Sequence, residues 1–253
     1  MMVRGFRYYF DVVTVLAGKD FKLRYKNSVL GFLWSLLNPL ANLLILTLVF
    51  SVLMHSTNAL LLLVGLLFWR FFQIATSQSL GSIVGNPSLV TKVALPRYLI
   101  VLSNNLANLL AACLEVAAFI PVLFALGAKF SVYTLFLPVI ILLEFGLIFG
   151  LSLCLASLNV LYRDLHEVWE IVTQLGFFLS PIVYTAISIP PRFQFAYSLN
   201  PVTRIIESGR GILLYGRLPM VYDIEVIVLF VLIFVSVGFL VFHSLEDKFA
   251  EEL

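Results

Sequence analysis

The chain reads as an all-α integral membrane protein. It is expected to have six transmembrane helices, an N-terminal amphipathic helix at the interface, and re-entrant external gate helices between spans five and six. Three observations predict this class. Hydrophobic residues fill 61% of the 253 positions and charged residues only 12%, against about 25% charged in a soluble domain. A chain that poor in charge has lipid as its solvent. Apolar runs recur at about the 20-residue length that a spanning helix needs. Lys and Arg also collect in alternate connections, the bias that orients membrane proteins.

Residues 1–253 read as one domain: an interface helix and elbow (1–30), spans one to five (32–187), an external re-entrant segment (188–223) and span six (224–243). Over 1–17, Arg4, Arg7, Asp11 and Thr14 recur at helical spacing opposite Phe6, Tyr9, Val13 and Leu16. That pattern predicts an amphipathic helix on the membrane surface. Lys19, Lys22, Arg24 and Lys26 then run into the first span, and anionic lipid attracts each such charge by about 1 kcal/mol. The spans are predicted at 32–54, 59–80, 98–126, 132–158, 168–187 and 224–243. No cleavable signal peptide is expected, because the first apolar stretch starts late, is long and lacks a small-residue cleavage site.

The loop charges set the orientation. Arg4, Arg7, Lys19, Lys22, Arg24 and Lys26 precede the first span, Lys92 and Arg97 sit in the second loop, and Arg163 is in the fourth. The first loop has no Lys or Arg and the third only Lys129. Both termini are therefore expected in the cytoplasm. Residues 188–223 break the bias with Arg192, Arg204, Arg210 and Arg217. Asn200 is a good N-cap, Pro201 fits a first helical turn, and Gly216 suits a stop. Arg204, Glu207 and Arg210 share one face of that short helix, with Ile205, Ile206, Ile212 and Leu213 on the other. The segment is expected to dip into the outer leaflet and return, which is tolerated only beside protein or a water-filled cavity. Asn200, Pro201, Arg204 and Arg210 would form an external gate; a surface hairpin without a gating role is the alternative.

Arg70, Glu115 and Glu144 lie near the centres of spans two, three and four. Each costs roughly 2.5–3.5 kcal/mol in lipid and should face the bundle interior. Arg70 shares a stripe with Gln73, Ser77 and Gly81, and Glu115 shares one with Asn104, Asn108 and Ala111. Arg70 is expected to pair with Glu115 or Glu144; a ligand contact or proton relay is the rival. Gly146 and Gly150 match a small-xxx-small packing motif. Pro39, Pro121, Pro138 and Pro181 are expected to kink their helices. Trp34, Asn38 and Asn42 share a face of span one, and Trp169, Thr173, Phe177, Ser180 and Tyr184 share a face of span five. Such mixed faces suit sugars, whose C–H faces stack on rings while their hydroxyls need partners. Helix packing explains them as well.

Gly211 and Gly216 have phosphate-loop spacing, but Arg217-Leu218 replaces the Lys and Ser/Thr that bind phosphate and metal. The chain is therefore not expected to hydrolyse ATP. Cys113 and Cys154 fall inside spans, and His55, His166 and His243 lack metal spacing. No catalytic residues, metal, cofactor or nucleic-acid partner is expected.

Taken in order, Lys22-Leu-Arg24-Tyr25-Lys26, Ser28-Val-Leu-Gly31-Phe-Leu-Trp34 and Pro39 are followed by Asn86, Lys92 and Pro96-Arg97. Next come Asn159-Val-Leu-Tyr162-Arg163-Asp164, Ser180-Pro181-Ile-Val-Tyr184, and Asn200-Pro201 with Arg210. Over nearly its whole length this pattern resembles the permease subunits of type-2 ABC exporters of O-antigen and teichoic acid. The first external link is unusually short for them. The resemblance implies a homodimer in a prokaryotic inner membrane, two cytoplasmic ATPase subunits that bind the ATP and Mg, and a lipid-linked glycan substrate. It places ATPase contacts at Arg4, Arg7, Asn86, Pro87, Lys92, Arg163 and Asp164, and a dimer-interface pathway along spans one and five. Teichoic-acid, lipid or drug export by the same architecture, or ion-coupled secondary transport, are the alternatives.

Overall fold

The computed structural model describes residues 6–26, 30–31, 33–54, 58–93, 95–185 and 189–252. Arg4, Ser28 and most of the first link lie outside them. The helices are α1 (Phe6–Tyr25), α2 (Leu33–Met54), α3 (Ala59–Leu80), α4 (Pro87–Lys92), α5 (Tyr98–Ala125), α6 (Leu137–Leu161), α7 (Leu165–Leu179), α8 (Pro191–Leu199), α9 (Pro201–Leu213), α10 (Val221–Leu245) and α11 (Phe249–Glu252). No strand occurs among the described residues. Among the described residues four helical runs are long and apolar enough to cross a membrane: Ala59–Leu80, Tyr98–Ala125, Val132–Leu161 and Val221–Glu252. In α2 the shorter apolar run Leu33–Val49 qualifies by composition.

The surface helix is longer than the sequence pattern suggests. α1 continues to Tyr25, so the cationic stretch Lys19–Arg24 is helical and the elbow falls later, at Gly31 with φ +47°. Lys and Arg are good helix formers, and in the last turn they face the negative end of the helix dipole. Val13 is buried with Ile83, Leu99 and Ile100, and Ala17 one turn on is buried too. α1 therefore packs along α5 and runs in the same direction: Asp20 meets Asn104, and Arg24 meets Asn108 one turn on.

α3 is the axis of the bundle, in contact with α2, α5, α6, α7 and α9. Its apolar side chains surround the whole helix, the pattern of a buried rather than a one-faced helix. Asn58 starts it, accepting hydrogen bonds from the Leu60 and Leu61 amides at 3.0 and 3.2 Å. α6 and α10 form the largest helix pair. There the Gly146-xxx-Gly150 motif is an internal seam: a Cβ on Gly150 would lie 2.5 Å from the Phe234 carbonyl carbon, and one on Gly238 would strike the Gly150 carbonyl oxygen.

Two expectations are corrected. The fifth span, expected to reach residue 187, ends at Leu179, so α7 has 15 residues. Pro181 is the cause, because proline disfavours helical backbone in the residue before it, and Ser180 is extended at φ −98°, ψ 149°. At 1.5 Å per residue such a helix is about 22 Å long, short of the roughly 30 Å hydrocarbon core. Pro138 kinks nothing, since it occupies the first turn of α6 behind a 3-10 turn at Val132–Phe136. The Ser131 hydroxyl accepts from the Tyr133 amide at 3.3 Å, and Thr134 Oγ1 accepts from the Ser131 amide at 3.2 Å, which closes that turn. α2 and α5 continue through Pro39 and Pro121.

The bundle has two distinct ends. One carries α4, the α6–α7 connection and α11, tied together by Arg97 donating to the Glu246 carbonyl at 2.5 Å and Asn159 Nδ2 donating to the Leu80 carbonyl at 2.9 Å. The other carries the start of α3, the α5–α6 connection, α8 and α9, where the Lys129 amide donates to the Leu213 carbonyl at 2.7 Å. Replacing Gly238 by Leu would drive a side chain into the α6 backbone. The expected result is a lower unfolding temperature in detergent, a loss of about 1–3 kcal/mol. Gly146→Ala, which meets only a Val231 methyl at 2.9 Å, should lose markedly less.

Candidate functional site

The intramembrane charges settle into one pair and one isolated acid. Arg70 Nε on α3 donates to Glu115 Oε1 on α5 at 3.1 Å, with both side chains largely buried. Glu144 on α6 is not its partner: neither of its buried carboxylate oxygens has a hydrogen bond among the described residues. It lines a small cavity with Glu115, Val64, Phe68 and Ile141. Sequence reasoning missed a further cation. Arg24 Nη1 donates to Asn108 Oδ1 at 2.8 Å, and its charge acts on Glu115. The Asn104/Asn108/Glu115 stripe was the available signal, read as facing only α3. Asn104 faces both neighbours: it hydrogen-bonds Asp20 of α1 and accepts from Ser79 of α3 at 3.2 Å. Burial raises the Asp20 carboxyl above its usual range, and Lys19 and the Asn104 hydrogen bond oppose that shift.

The two mixed aromatic–polar faces part company. Trp34, Asn38 and Asn42 all lie exposed on α2, with Asn42 Nδ2 donating to the Asn38 carbonyl at 3.0 Å. The α7 stripe instead turns inward and packs on α3. Trp169 Nε1 donates to Thr76 Oγ1 at 3.1 Å, Phe177 meets the Trp69 ring edge-on at 6.2 Å, and Thr173 is buried. Ser180 is buried as well, and the Tyr184 hydroxyl donates back to the Phe178 carbonyl at 3.0 Å. Within this chain those five residues are a packing surface. Gly176 allows it, since a Cβ there would lie 2.7 Å from the Trp69 ring. The outward face of α7 carries Ile171, Val172, Leu175 and Phe178, with Glu170 and Gln174 exposed beside them.

At the α9 end, Asn200 caps the helix as its sequence suggests, accepting from the Val202 and Thr203 amides at 3.0 and 3.4 Å, with Pro201 in the first turn. The arginines do not lie on an open face: α9 is buried on nearly every side against α3, α6 and α10. Arg210 is 1% exposed. Its guanidinium donates to the Leu61 carbonyl at 3.1 Å, the Ile182 carbonyl at 2.9 Å, the Tyr184 carbonyl at 3.3 Å and Glu207 Oε1 at 2.8 Å. Arg204 donates to Asp223 Oδ1 at 2.6 Å and to the Ser198 carbonyl at 2.8 Å. A free anion would have to displace these partners.

The opposite end presents a different surface. Arg7, Pro87, Lys92, Arg163 and Asp164 are all exposed. Asn86 is held in place: its Nδ2 donates to the Ser82 carbonyl at 2.9 Å, and its Oδ1 accepts from Lys19 Nζ at 3.1 Å. α4 buries only Val90, so it lies on the bundle as a small helix with its polar side outward. The Lys19–Asn86 bond joins α1 to the residue that precedes α4. Together these groups form an exposed polar surface, with no metal-binding cluster among the described residues.

The Arg70–Glu115 pair gives a direct test of the interior. Arg70→Met or Glu115→Leu alone leaves a buried charge without its partner, for an expected loss of roughly 3–5 kcal/mol. The double variant should lose much less than the sum, measured by unfolding temperature of the purified protein.

The model of the ABC-2 type transporter family matches residues 11–214. Relatives agree along the whole chain. An O-antigen export system permease protein RfbA of Klebsiella pneumoniae is 33% identical over 97% of this chain and 96% of its own length. The RfbA protein of Myxococcus xanthus is 27% identical over 100% and 99%. The polysialic acid transport protein KpsM of Escherichia coli is 24% identical over 96% of both. With its helical membrane architecture and a family match over most of its length, this chain belongs to the ABC-2 type transporter family.

Proposed function

We propose that this chain is the permease subunit of an ATP-driven exporter that moves an O-antigen-like, lipid-linked polysaccharide across the cytoplasmic membrane. The observation that carries the reading is the end-to-end similarity to O-antigen export permeases, 33% identical over 97% of the chain. In this reading the chain crosses the membrane six times, with α2 and α7 as spans one and five. α7 is completed in the bilayer by the buried turn at Ser180–Tyr184. Both termini lie in the cytoplasm, and α8 and α9 form the re-entrant segment at the outer face.

The exporter is a homodimer of this chain with two cytoplasmic ATPase subunits, which bind the ATP and Mg and perform the hydrolysis. The exposed surface of α1, α4 and Tyr162–Glu167 docks those subunits. ATP closing the motor favours one permease state by its differential affinity for the two. Movement reaches the membrane through α1, which is bonded to the α4 loop by Lys19 and to α5 by Asp20 and Arg24. The glycan passes along the dimer interface, against the exposed Trp34, Asn38 and Asn42 face of α2. The packing of Trp169, Thr173 and Phe177 on α3 leaves the outer face of α7, around Ile171, Leu175 and Phe178, as that element's contribution to the interface.

In cells that assemble the lipid-linked glycan, surface polysaccharide is expected to require this chain together with a catalytically intact ATPase partner. Export by this chain alone, driven by an ion gradient, would contradict the reading. Lys92→Glu combined with Arg163→Glu should reduce copurification of the ATPase by about tenfold or more, a loss of about 1.4 kcal/mol. The unfolding temperature of the permease should be unchanged, because both side chains are exposed.

A further inference from the structure

A cleft of about 350 Å³ opens between α8 and the first half of α9, lined by Ile189 and by Gln194, Tyr197, Ser198, Thr203, Arg204 and Glu207. Its size is at the lower end for small-molecule sites. Its side chains are unlike the rest of this apolar protein, since all but Ile189 carry a hydrogen-bonding group.

Thr203 is the informative residue. It is 4% exposed, and its Oγ1 is buried without any hydrogen-bond partner. The usual solution for a helical threonine, a bond back to the carbonyl four residues earlier, is closed here. That residue is Leu199, which ends α8 before the cap. Asn200 already serves the Thr203 amide, so the hydroxyl has no capping role either. A buried polar group left in this condition calls for a missing partner.

The neighbouring groups show what kind. Glu207 accepts from Arg210 through Oε1, which leaves Oε2 as an acceptor. Arg204 uses Nε on the Ser198 carbonyl and Nη1 on Asp223, which leaves Nη2 as a donor. The charges of Arg204 and Glu207 oppose each other, and each is further balanced by Asp223 or Arg210. A phosphate would meet the Glu207 carboxylate, and a cation would meet Arg204. A neutral molecule with several hydroxyls fits, because each hydroxyl both donates and accepts. Tyr197 supplies an aromatic ring, itself steadied by Tyr184 at 5.9 Å.

We propose that this cleft binds a single neutral sugar residue, held by Thr203, Glu207 and Arg204 and stacked on Tyr197. The inference deepens the exporter reading and rests on it: the cleft is a glycan subsite at the outer end of the permease. It is distinct from the α2 face, and it would hold one residue of the chain as it leaves.

The test uses the permease with its ATPase partner in nanodiscs, and saturation-transfer NMR with the methyl glycosides of galactose, mannose, glucose and rhamnose as probes. At least one glycoside is expected to receive saturation. Thr203→Val, which keeps the shape and removes the unpartnered hydroxyl, should weaken its binding by about fivefold without lowering the unfolding temperature. Tyr197→Leu should weaken it as well. No transfer to any glycoside, or transfer unchanged in both variants, overturns the subsite, the cleft then holding water only. Surface export is scored separately: intact export without glycoside binding overturns the cleft alone, whereas no export with an active ATPase partner overturns the exporter reading.

Discussion

A backbone carbonyl that ends a helix in apolar surroundings must find a donor, and Arg210 meets that demand at the point where this bundle is most interrupted. Pro181 stops α7 inside the protein, so the turn that follows leaves carbonyls at Ile182 and Tyr184 without helical partners. A guanidinium carries five N–H groups in a planar fork. From α9 it reaches both of those oxygens, the Leu61 carbonyl in the first turn of α3, and Glu207. Glycine makes room for it: a Cβ on Gly65 would stand 3.0 Å from Nη2 and 3.1 Å from the Ile182 Cα. A Cβ on Gly209 would collide with the Phe68 ring that packs beside the same helix. The non-spanning segment is therefore built into the core of the bundle.

This clamp also accounts for the charge anomaly at that end. Four arginines at the proposed outer face contradict the positive-inside bias, yet two of them are neutralised where they stand, Arg204 by Asp223 and Arg210 by Glu207. Arg192 and Arg217 lie over the rings of Phe193 and Tyr215 at 4.7 and 5.1 Å. The opposite end keeps its basic groups exposed, at Arg7, Lys92 and Arg163. One end thus uses charge to hold the fold and the other leaves it exposed. Between them the α1–α5 seam, from Lys19 through Asp20 and Arg24 toward Glu115, carries polar contacts from the exposed end at α4 into the interior of the bundle.

Much of this was legible in the chain because it rests on local rules. Apolar run length marked the helices, Asn200-Pro201 marked the start of α9, and the i, i+4, i+11 phasing of Asn104, Asn108 and Glu115 marked an inward stripe. What escaped depends on which element meets which. Phasing shows that Trp169, Thr173 and Phe177 share a face, but only tertiary packing decides that the face meets α3 and not a pathway. Amphipathicity places Arg210 on the polar side of α9, and nothing local reveals the open carbonyls that draw it inside. Similarly, the Gly146-xxx-Gly150 spacing is the same for an internal seam as for an interface between copies, and α10 selects the first.

The central claim is that Arg210 fastens α9 and the Pro181 turn to the start of α3. Hydrogen–deuterium exchange of the wild type and of Arg210→Met, in the same detergent, tests it most directly. The account requires faster exchange in peptides covering Leu60–Leu63, Ile182–Tyr184 and Thr203–Leu213, with the α6–α10 pair still protected. Unchanged protection at all three places would contradict it.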